Sequence, residues 1–525
     1  MKTFLMHPDQ DFELTLTAKE FGPPTRPEGI KQIISFAQDI ELEVLLNAAA
    51  SGDRYLRDVM AEACAAAWTN DIATIRYRQE ILKDSLANPA AVRQFYAIAL
   101  EPFSRERSWD FSLYGNEPGA MVGSAVRTLQ KSLEVLRRLR KTCSSNAASF
   151  KSAGFRQFFA TLERDLDDTY LEAATTDLNN LTFRKGVLLS AQVGDGGKGV
   201  GTMLRKPRPR DLSWVQAVLE PEFQSYTLQL APRDDAGAQA FAELRNRGLS
   251  LICDALYQSA EHVLGFLKAL RHELAFYVGC LNLADQLAKI GESVAFPEAT
   301  TAPRRFVCRN LRDVCLALTM GRPVVGNDAA ADGKPLVIIT GANRGGKSTF
   351  LRSVGLAQTM LQCGMFVTAD AYASSLRSGL FTHYKREEDR TMRSGKFDEE
   401  LVRMSAIADR IHRRAMVLFN ESFAATHEQE GSEIARQIVS ALLDNEVTVF
   451  FVSHMYEFAR AFLDSDQVLF LRADRQEDGR RTFKLVEGEP LGTSFGEDVY
   501  REIFSNEKVP AADEATLVVK PRLLA

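Results

Sequence analysis

Gly341, Gly345, Gly346, Lys347 and Ser348 stand in the spacing Gly-x4-Gly-Lys-Ser, directly after the apolar run Leu336-Val337-Ile338-Ile339-Thr340. These residue types at this spacing suit the cradling of a nucleotide's phosphates. Glycine has no Cβ, so the backbone takes positive φ freely and presses its N–H groups against phosphate oxygens. Lys347 offers a mobile cation to the β- and γ-phosphates, and the Ser348 hydroxyl offers an oxygen to Mg2+. Thr349 to about Cys363 reads as a helix stopped by Gly364, its positive dipole end turned to the same anion. The plainer alternative is a glycine-rich turn between a core strand and a helix. Strand and helix flank the motif as phosphate binding requires, which favours the nucleotide.

Two further stretches carry groups that phosphoryl transfer to water needs. Ala415-Met416-Val417-Leu418-Phe419 is an apolar strand ending in Asn420-Glu421. Glu421 could polarise or position the attacking water. Val449-Phe450-Phe451-Val452 is the next such strand and ends in Ser453-His454. His454 could donate to the γ-phosphate or hold the same water. A lone histidine at a strand end is more often structural, but one that follows a strand-Glu and a phosphate loop is much less ambiguous.

The strands expected to position these groups are Leu336 to Thr340, Phe366 to Ala369, Met416 to Asn420, Val447 to Val452, Gln467 to Leu471 and Thr482 to Val486. Helices are expected between several of them, over Thr349–Cys363, Asp398–Arg413 and Glu428–Leu443. Apolar strands alternating with helices predict a mainly parallel sheet sandwiched by helices, with nucleotide at the strands' C-terminal edge. This α/β domain is expected over 301–504 and a C-terminal tail over 505–525.

Upstream, 29–300 reads as an all-α core and lever domain with a small β-hairpin at about 184–206, behind an N-terminal arm of 1–28. In the arm, Phe4-Leu5-Met6 and Phe12 to Leu16 are candidate short strands or docking segments. Leu129, Leu133, Leu136 and Leu139 form one helical stripe, and Ala238 to Glu292 reads as a long helix. Gly248, Gly265 and Gly279 in that helix predict kinks or close packing. Lys185 to Val193 and Val200 to Leu204 flank the glycine-rich tip Gly194 to Gly199. Arg184, Lys185, Lys198, Arg205, Lys206, Arg208 and Arg210 surround it. Two readings stay open for the hairpin: a phosphate-binding finger, or an edge kept soluble by charge.

Composition narrows the classes. The chain has 525 residues and a formal net charge of −5, so any nucleic-acid contact would be a local basic patch. Seven cysteines with no Cys-x-x-Cys pair read as buried thiols in a reducing compartment, not zinc ligands. No apolar run is long enough to span a bilayer, and His7-Pro8 interrupts any signal-peptide core. A cytoplasmic protein is expected.

Gly341 to Thr349 resembles the Gly-Pro-Asn-Met-Gly-Gly-Lys-Ser-Thr of the MutS family of mismatch-repair ATPases, with Ala342 and Arg344 departing. Pro323 to Asn327 is similar to the family's adenine-site Phe-x-x-Asn, matched at Asn327, with Val324 in place of the aromatic. Gln362 to Ala369 resembles its Gln-x-Gly-x-Phe-Val-Pro-Ala, and His454 matches its Thr-His. Trp68 to Glu80 resembles a MutS core segment.

The resemblance implies a MutS/ABC-like P-loop ATPase domain that binds ATP and Mg2+. Lys347, Glu421 and His454 would be catalytic. Gly341, Asn343, Gly345, Gly346, Lys347, Ser348, Thr349 and Asn327 would bind nucleotide, and Ser394 would reach the partner's γ-phosphate across a homodimer. Ser348 and Asn420 would face the metal. DNA is the implied partner, with no membrane. An arm of about 28 residues leaves no room for a mismatch-reading domain, so repair or recombination without standard mismatch reading is expected. The family's Asp-Glu pair is Asn420-Glu421 here, so weaker Mg2+ binding and slow turnover are expected. The alternative function is an ATP-dependent switch acting on a protein complex or RNA. A metabolic nucleotide kinase is disfavoured because no second-substrate motif accompanies the P-loop.

Overall fold

In the computed structural model the described residues are 2–6, 8, 36–103, 118–183, 186–197, 199–205, 229–231, 233–386, 395–476 and 480–491. They divide into two compact units. One holds Glu80–Val278 with the described residues among Met1–Glu20. The other holds the chain from Gly279 onward with those among Phe21–Gln79.

The first unit is helical, with one hairpin. Its helices Pro89–Leu100, Pro118–Asn146 and Ala153–Asp165 bury the predicted leucine stripe, Leu129, Leu133, Leu136 and Leu139. Phe95, Phe150, Phe155 and Phe159 form an aromatic cluster there, with the Phe150 and Phe155 rings 4.4 Å apart. The Asp84 carboxylate accepts from the N–H groups of Lys151 and Ser152 at 2.8 and 2.6 Å, satisfying donors at the following helix start. In the N-terminal arm Leu5 is fully buried and its N–H donates to Glu273 Oε2 at 2.8 Å, while the Tyr277 hydroxyl donates to the Leu5 carbonyl. The first expected docking segment therefore docks; Phe12 to Leu16 lies outside the described residues.

Strands β1 (Leu189–Val193) and β2 (Gly199–Leu204) pair antiparallel, as the glycine-rich tip predicts. Of the hairpin's basic residues only Arg205 is among the described residues. The long helix Asp235–Lys289 is continuous, and two of its three glycines mark close packing, not kinks. A Cβ at Gly248 would lie 2.4 Å from Leu189, and one at Gly279 would lie 2.7 Å from the Met60 sulfur. No helix among the described residues is long and apolar enough to cross a membrane, and all seven cysteines are buried free thiols.

The second unit carries β3 (Glu298–Thr300), β4 (Phe306–Leu311), β5 (Asn327–Ala330), β6 (Leu336–Gly341), β7 (Ala371–Ser375), β8 (Leu380–Tyr384), β9 (Met416–Asn420), β10 (Thr448–Val452), β11 (Val468–Arg475) and β12 (Arg481–Glu487). Six of them form a sheet in the order β12-β11-β6-β10-β9-β8, parallel throughout except for the antiparallel edge β12. β6 and β10 are buried along their whole length, which explains why they read as unbroken apolar runs.

Three expectations need correction. Phe366 to Ala369 is not a strand. Val367 makes a single bridge to Ala295, and the segment is buried as a turn after the left-handed helix cap Gly364. The neighbouring strand is β7, in a second sheet ordered β3-β7-β4-β5 that the apolar pattern does not reveal. The helix expected over Asp398–Arg413 spans Lys396–Ala408, because the chain leaves helical geometry into the turn that feeds β9.

The third correction concerns the boundary expected at 300. The helices Leu42–Ala50 and Arg54–Ala66 belong with the sheet unit. Asn70 Nδ2 donates to the Gln362 carbonyl at 2.8 Å, Gln362 Nε2 donates to the Ala67 carbonyl at 3.3 Å, and Arg352 pairs with Glu41. The half-buried amide of Asn70 and the fully buried amide of Gln362, both bonded to backbone, hold that early segment against the helix Lys347–Cys363. The expected domain end at 504 and the tail lie outside the described residues.

Candidate functional site

β6 ends at Gly341 (φ 99°), and the chain turns through Ala342 to Gly346 (φ 89°) before entering the helix Lys347–Cys363. Both glycines sit in the left-handed region where a side chain is strained. Gly345 is needed for a different reason: a Cβ there would lie 2.6 Å from that of Ala473 on β11. Lys347 is buried (5% exposed), and its Nζ donates to the carbonyls of Gly341 and Ala342, both at 2.9 Å. Burial pulls its pKa down to about 8, opposed by the Glu421 charge and assisted by that of Arg481.

The tips of β9 and β10 meet this loop. Ser348 Oγ donates to Asn420 Oδ1 at 2.8 Å. Glu421, just past β9, takes a left-handed φ of 54°, and its N–H is held by the Val452 carbonyl at 2.9 Å. Its Oε1 lies 2.9 Å from His454 Nε2. A carboxylate only accepts, so that ring nitrogen carries the hydrogen. The bond from His454 holds the Glu421 carboxyl below its ordinary range against the opposing effect of burial, with further help from the charges of His454, Lys385 and Lys347. Three strand tips thus gather a buried cation, a hydroxyl, a carboxamide, a carboxylate and an imidazole. These side chains can grip a phosphate chain and hold a water beside it.

Among the described residues no group of three or more His, Cys, Asp or Glu could hold a metal alone. Ser348 and Asn420 present two neutral oxygens, which fits a Mg2+ bound chiefly through nucleotide phosphates and water. Thr349 stands half-buried in the first turn of the helix, and the Asn343 carbonyl accepts from Arg481 Nε at 3.1 Å.

Asn327 lies on β5, and its side chain is spent on β12. Nδ2 donates to the Phe483 carbonyl at 3.2 Å, and Oδ1 accepts the Leu485 N–H at 2.7 Å. That bond brings β12 to the phosphate loop, where a Cβ at Gly346 would lie 3.4 Å from the Phe483 carbonyl oxygen. Ser394 lies outside the described residues.

Several neighbours escape a reading of motifs. Arg481 sits on an edge strand, and Lys385 lies one residue past β8 with its N–H on the Asn420 carbonyl at 2.9 Å. His383 and Glu400, both buried, stand behind the turn that carries Glu421. Only the sheet order brings them together; a buried Glu in an amphipathic helix was the one available signal.

Residues 70–290 match the family model described as the MutS2 N-terminal domain, and residues 337–517 match MutS domain V. A DNA mismatch repair protein MutS of Chloroflexus aurantiacus is 32% identical over 186 residues, 34% of this chain and 19% of the relative. The MutS protein homolog 4 of Homo sapiens is 26% identical over 197 residues, 35% of this chain and 21% of the relative. A DNA mismatch repair protein MutS of Thermus thermophilus is 29% identical over 164 residues, 31% and 20% respectively. The chain thus spans about a fifth of the length of these relatives. With one MutS model matched across its helices and another across its phosphate loop and the strand tips around it, the chain belongs to the MutS family.

Proposed function

We propose that the chain is an ATPase that binds ATP with Mg2+ at the tips of β6, β9 and β10 and hydrolyses it to ADP and phosphate. It would act at a composite site between two copies and couple the cycle to DNA in repair or recombination. The observation that carries the reading is the convergence of Lys347, the Ser348–Asn420 pair at 2.8 Å and the Glu421–His454 pair at 2.9 Å on one loop. The names of the relatives, mismatch repair proteins among them, support DNA as the partner.

In this reading Lys347 exchanges two backbone carbonyls for phosphate oxygens, a stronger charge-assisted partner. Glu421 orients the attacking water, with His454 fixing its carboxylate. Ser348 and Asn420 would hold Mg2+, which when bound neutralises charge on the β- and γ-oxygens. The domain scheme is that of a helical lever region joined to the ATPase, with the described residues among Phe21–Gln79 assigned to the latter.

Asn420 gives the second reading, a switch driven by binding, its specific support. A carboxamide keeps the acceptor oxygen and lacks the negative charge a carboxylate would bring to the metal shell. Asn420→Asp is therefore expected to lower the Mg2+ concentration for half-maximal hydrolysis by about tenfold and to raise the maximal rate. A rate unchanged at every Mg2+ concentration would remove Asn420 from the metal's surroundings.

The DNA coupling is tested by the steady-state rate with duplex, branched and single-stranded DNA, across a salt series. A rate that changes about twofold or more with at least one DNA, and a salt-sensitive affinity, are expected. Indifference to every one of these DNAs would move the reading to a protein complex or RNA as the partner.

A further inference from the structure

The turn Glu421-Ser422-Phe423 is held from behind by one helix. Glu421 and Phe423 both adopt left-handed φ, 54° and 64°, so the surroundings must hold a backbone that neither side chain favours. Each of the two following residues is fixed by groups far away in sequence. The Phe423 N–H donates to Glu400 Oε2 at 2.7 Å, and the Phe423 ring stacks on His383 with centroids 5.1 Å apart and planes 15° from parallel. The Ser422 hydroxyl, fully buried, lies 2.7 Å from His383 Nδ1 and 2.5 Å from the His383 carbonyl.

His383 is itself tied to the same glutamate. Its Nε2 lies 2.9 Å from the Glu400 carbonyl oxygen, which can only accept, so Nε2 carries the hydrogen. Burial, aided by the Arg403 charge, lowers the ring's pKa to about 4, so it is neutral near pH 7, and Nδ1 and the His383 carbonyl are both acceptors sharing the one hydroxyl hydrogen of Ser422. Glu400 thereby reaches the turn twice: through its carboxylate to Phe423, and through its backbone and His383 to Ser422. It projects from the helix Lys396–Ala408, is 2% exposed, and among the described residues its Oε1 has no partner. A buried carboxylate with one satisfied oxygen is a costly way to build a core, which a purely apolar contact would serve better.

We propose that Glu400 is a positioning residue: through Phe423, and through His383 and Ser422, it makes the aim of Glu421 depend on the placement of the helix Lys396–Ala408. Displacing that helix releases the turn and stops hydrolysis while ATP stays bound. This rests on Glu421 as the water-orienting residue.

Steady-state hydrolysis and nucleotide affinity, measured on Glu400→Ala, Glu400→Gln and Ser422→Ala, test it. Glu400→Ala is expected to lower kcat by about tenfold or more with affinity for ATP within about twofold, since misaligned groups cost turnover before binding. Glu400→Gln keeps an acceptor for the Phe423 N–H and is expected to recover most of that loss. Ser422→Ala, which deletes one atom and leaves Glu400 in place, is expected to lower kcat several-fold with affinity unchanged, and it decides the matter if Glu400→Ala does not fold. Unaltered kcat in Glu400→Ala or in a folded Ser422→Ala overturns the inference alone. Affinity and kcat falling together, with no recovery in Glu400→Gln, also overturns it, as that marks a general loss of structure. An unmodified chain that binds ATP and never hydrolyses it overturns the Glu421 reading beneath it.

Discussion

Glu421→Gln is expected to bind ATP as the unmodified chain does and to lose hydrolysis by about 10²- to 10⁴-fold, the range that a positioned acid–base group contributes. The substitution changes little else. A glutamine keeps an oxygen for the hydrogen on His454 Nε2, 2.9 Å away in the unmodified chain, and it fills the same volume. What disappears is the negative charge that would draw a proton from the attacking water. The pH dependence follows in sign. The His454 bond lowers the Glu421 pKa, so the carboxylate required for turnover persists above that lowered value and is lost only as pH falls through it. The acid limb of the rate profile should lie below that of an ordinary glutamate. His454→Ala removes the first cause of the shift and should move the limb upward. Single-turnover rates across the acid range check both statements.

Lys347→Ala is expected to weaken ATP binding by about 10²- to 10³-fold, because one or two charge-assisted bonds of about 1.5–3 kcal/mol each are lost. The unmodified chain makes its own pH prediction at this residue. With the Lys347 pKa at about 8 before nucleotide binds, the ammonium is about nine-tenths formed at pH 7 and largely neutral a unit or more above 8. Affinity should therefore be flat below the folded value and fall as pH rises through it, by up to about tenfold per unit until bound phosphate restores the proton. Titration calorimetry between pH 7 and pH 9.5 reads that slope, and Lys347→Ala should show none.

How much of this was open to a reading of residues alone depended on how local each signal is. The phosphate loop is contiguous, so its glycines, Lys347 and Ser348 declare themselves. β6, β9 and β10 are buried on both faces, and such strands must be apolar throughout. The sheet β3-β7-β4-β5 was hidden because β3 and β5 are only three and four residues long and β7, Ala371-Tyr372-Ala373-Ser374-Ser375, is rich in small residues.

Long-range pairings leave no local mark either. Asn70 finds Gln362 and Glu400 finds Phe423 only after folding. Asn327 shows the limit from the other side, for a residue picked out by family likeness has both ends of its amide engaged by β12. The residues leave kinks or close packing open at Gly248 and Gly279; that each is closely packed, and against which neighbour, Leu189 or Met60, is a property of the fold.

The most direct test of the site is calorimetric titration of Glu421→Gln with ATP and Mg2+, where binding heat is free of hydrolysis. One site per chain, saturable and weakened about 10²- to 10³-fold by adding Lys347→Ala, is the predicted result. A folded protein that releases no heat with ATP, or binds it equally well without Lys347, would contradict the placement of the triphosphate at the turn from β6 into its helix.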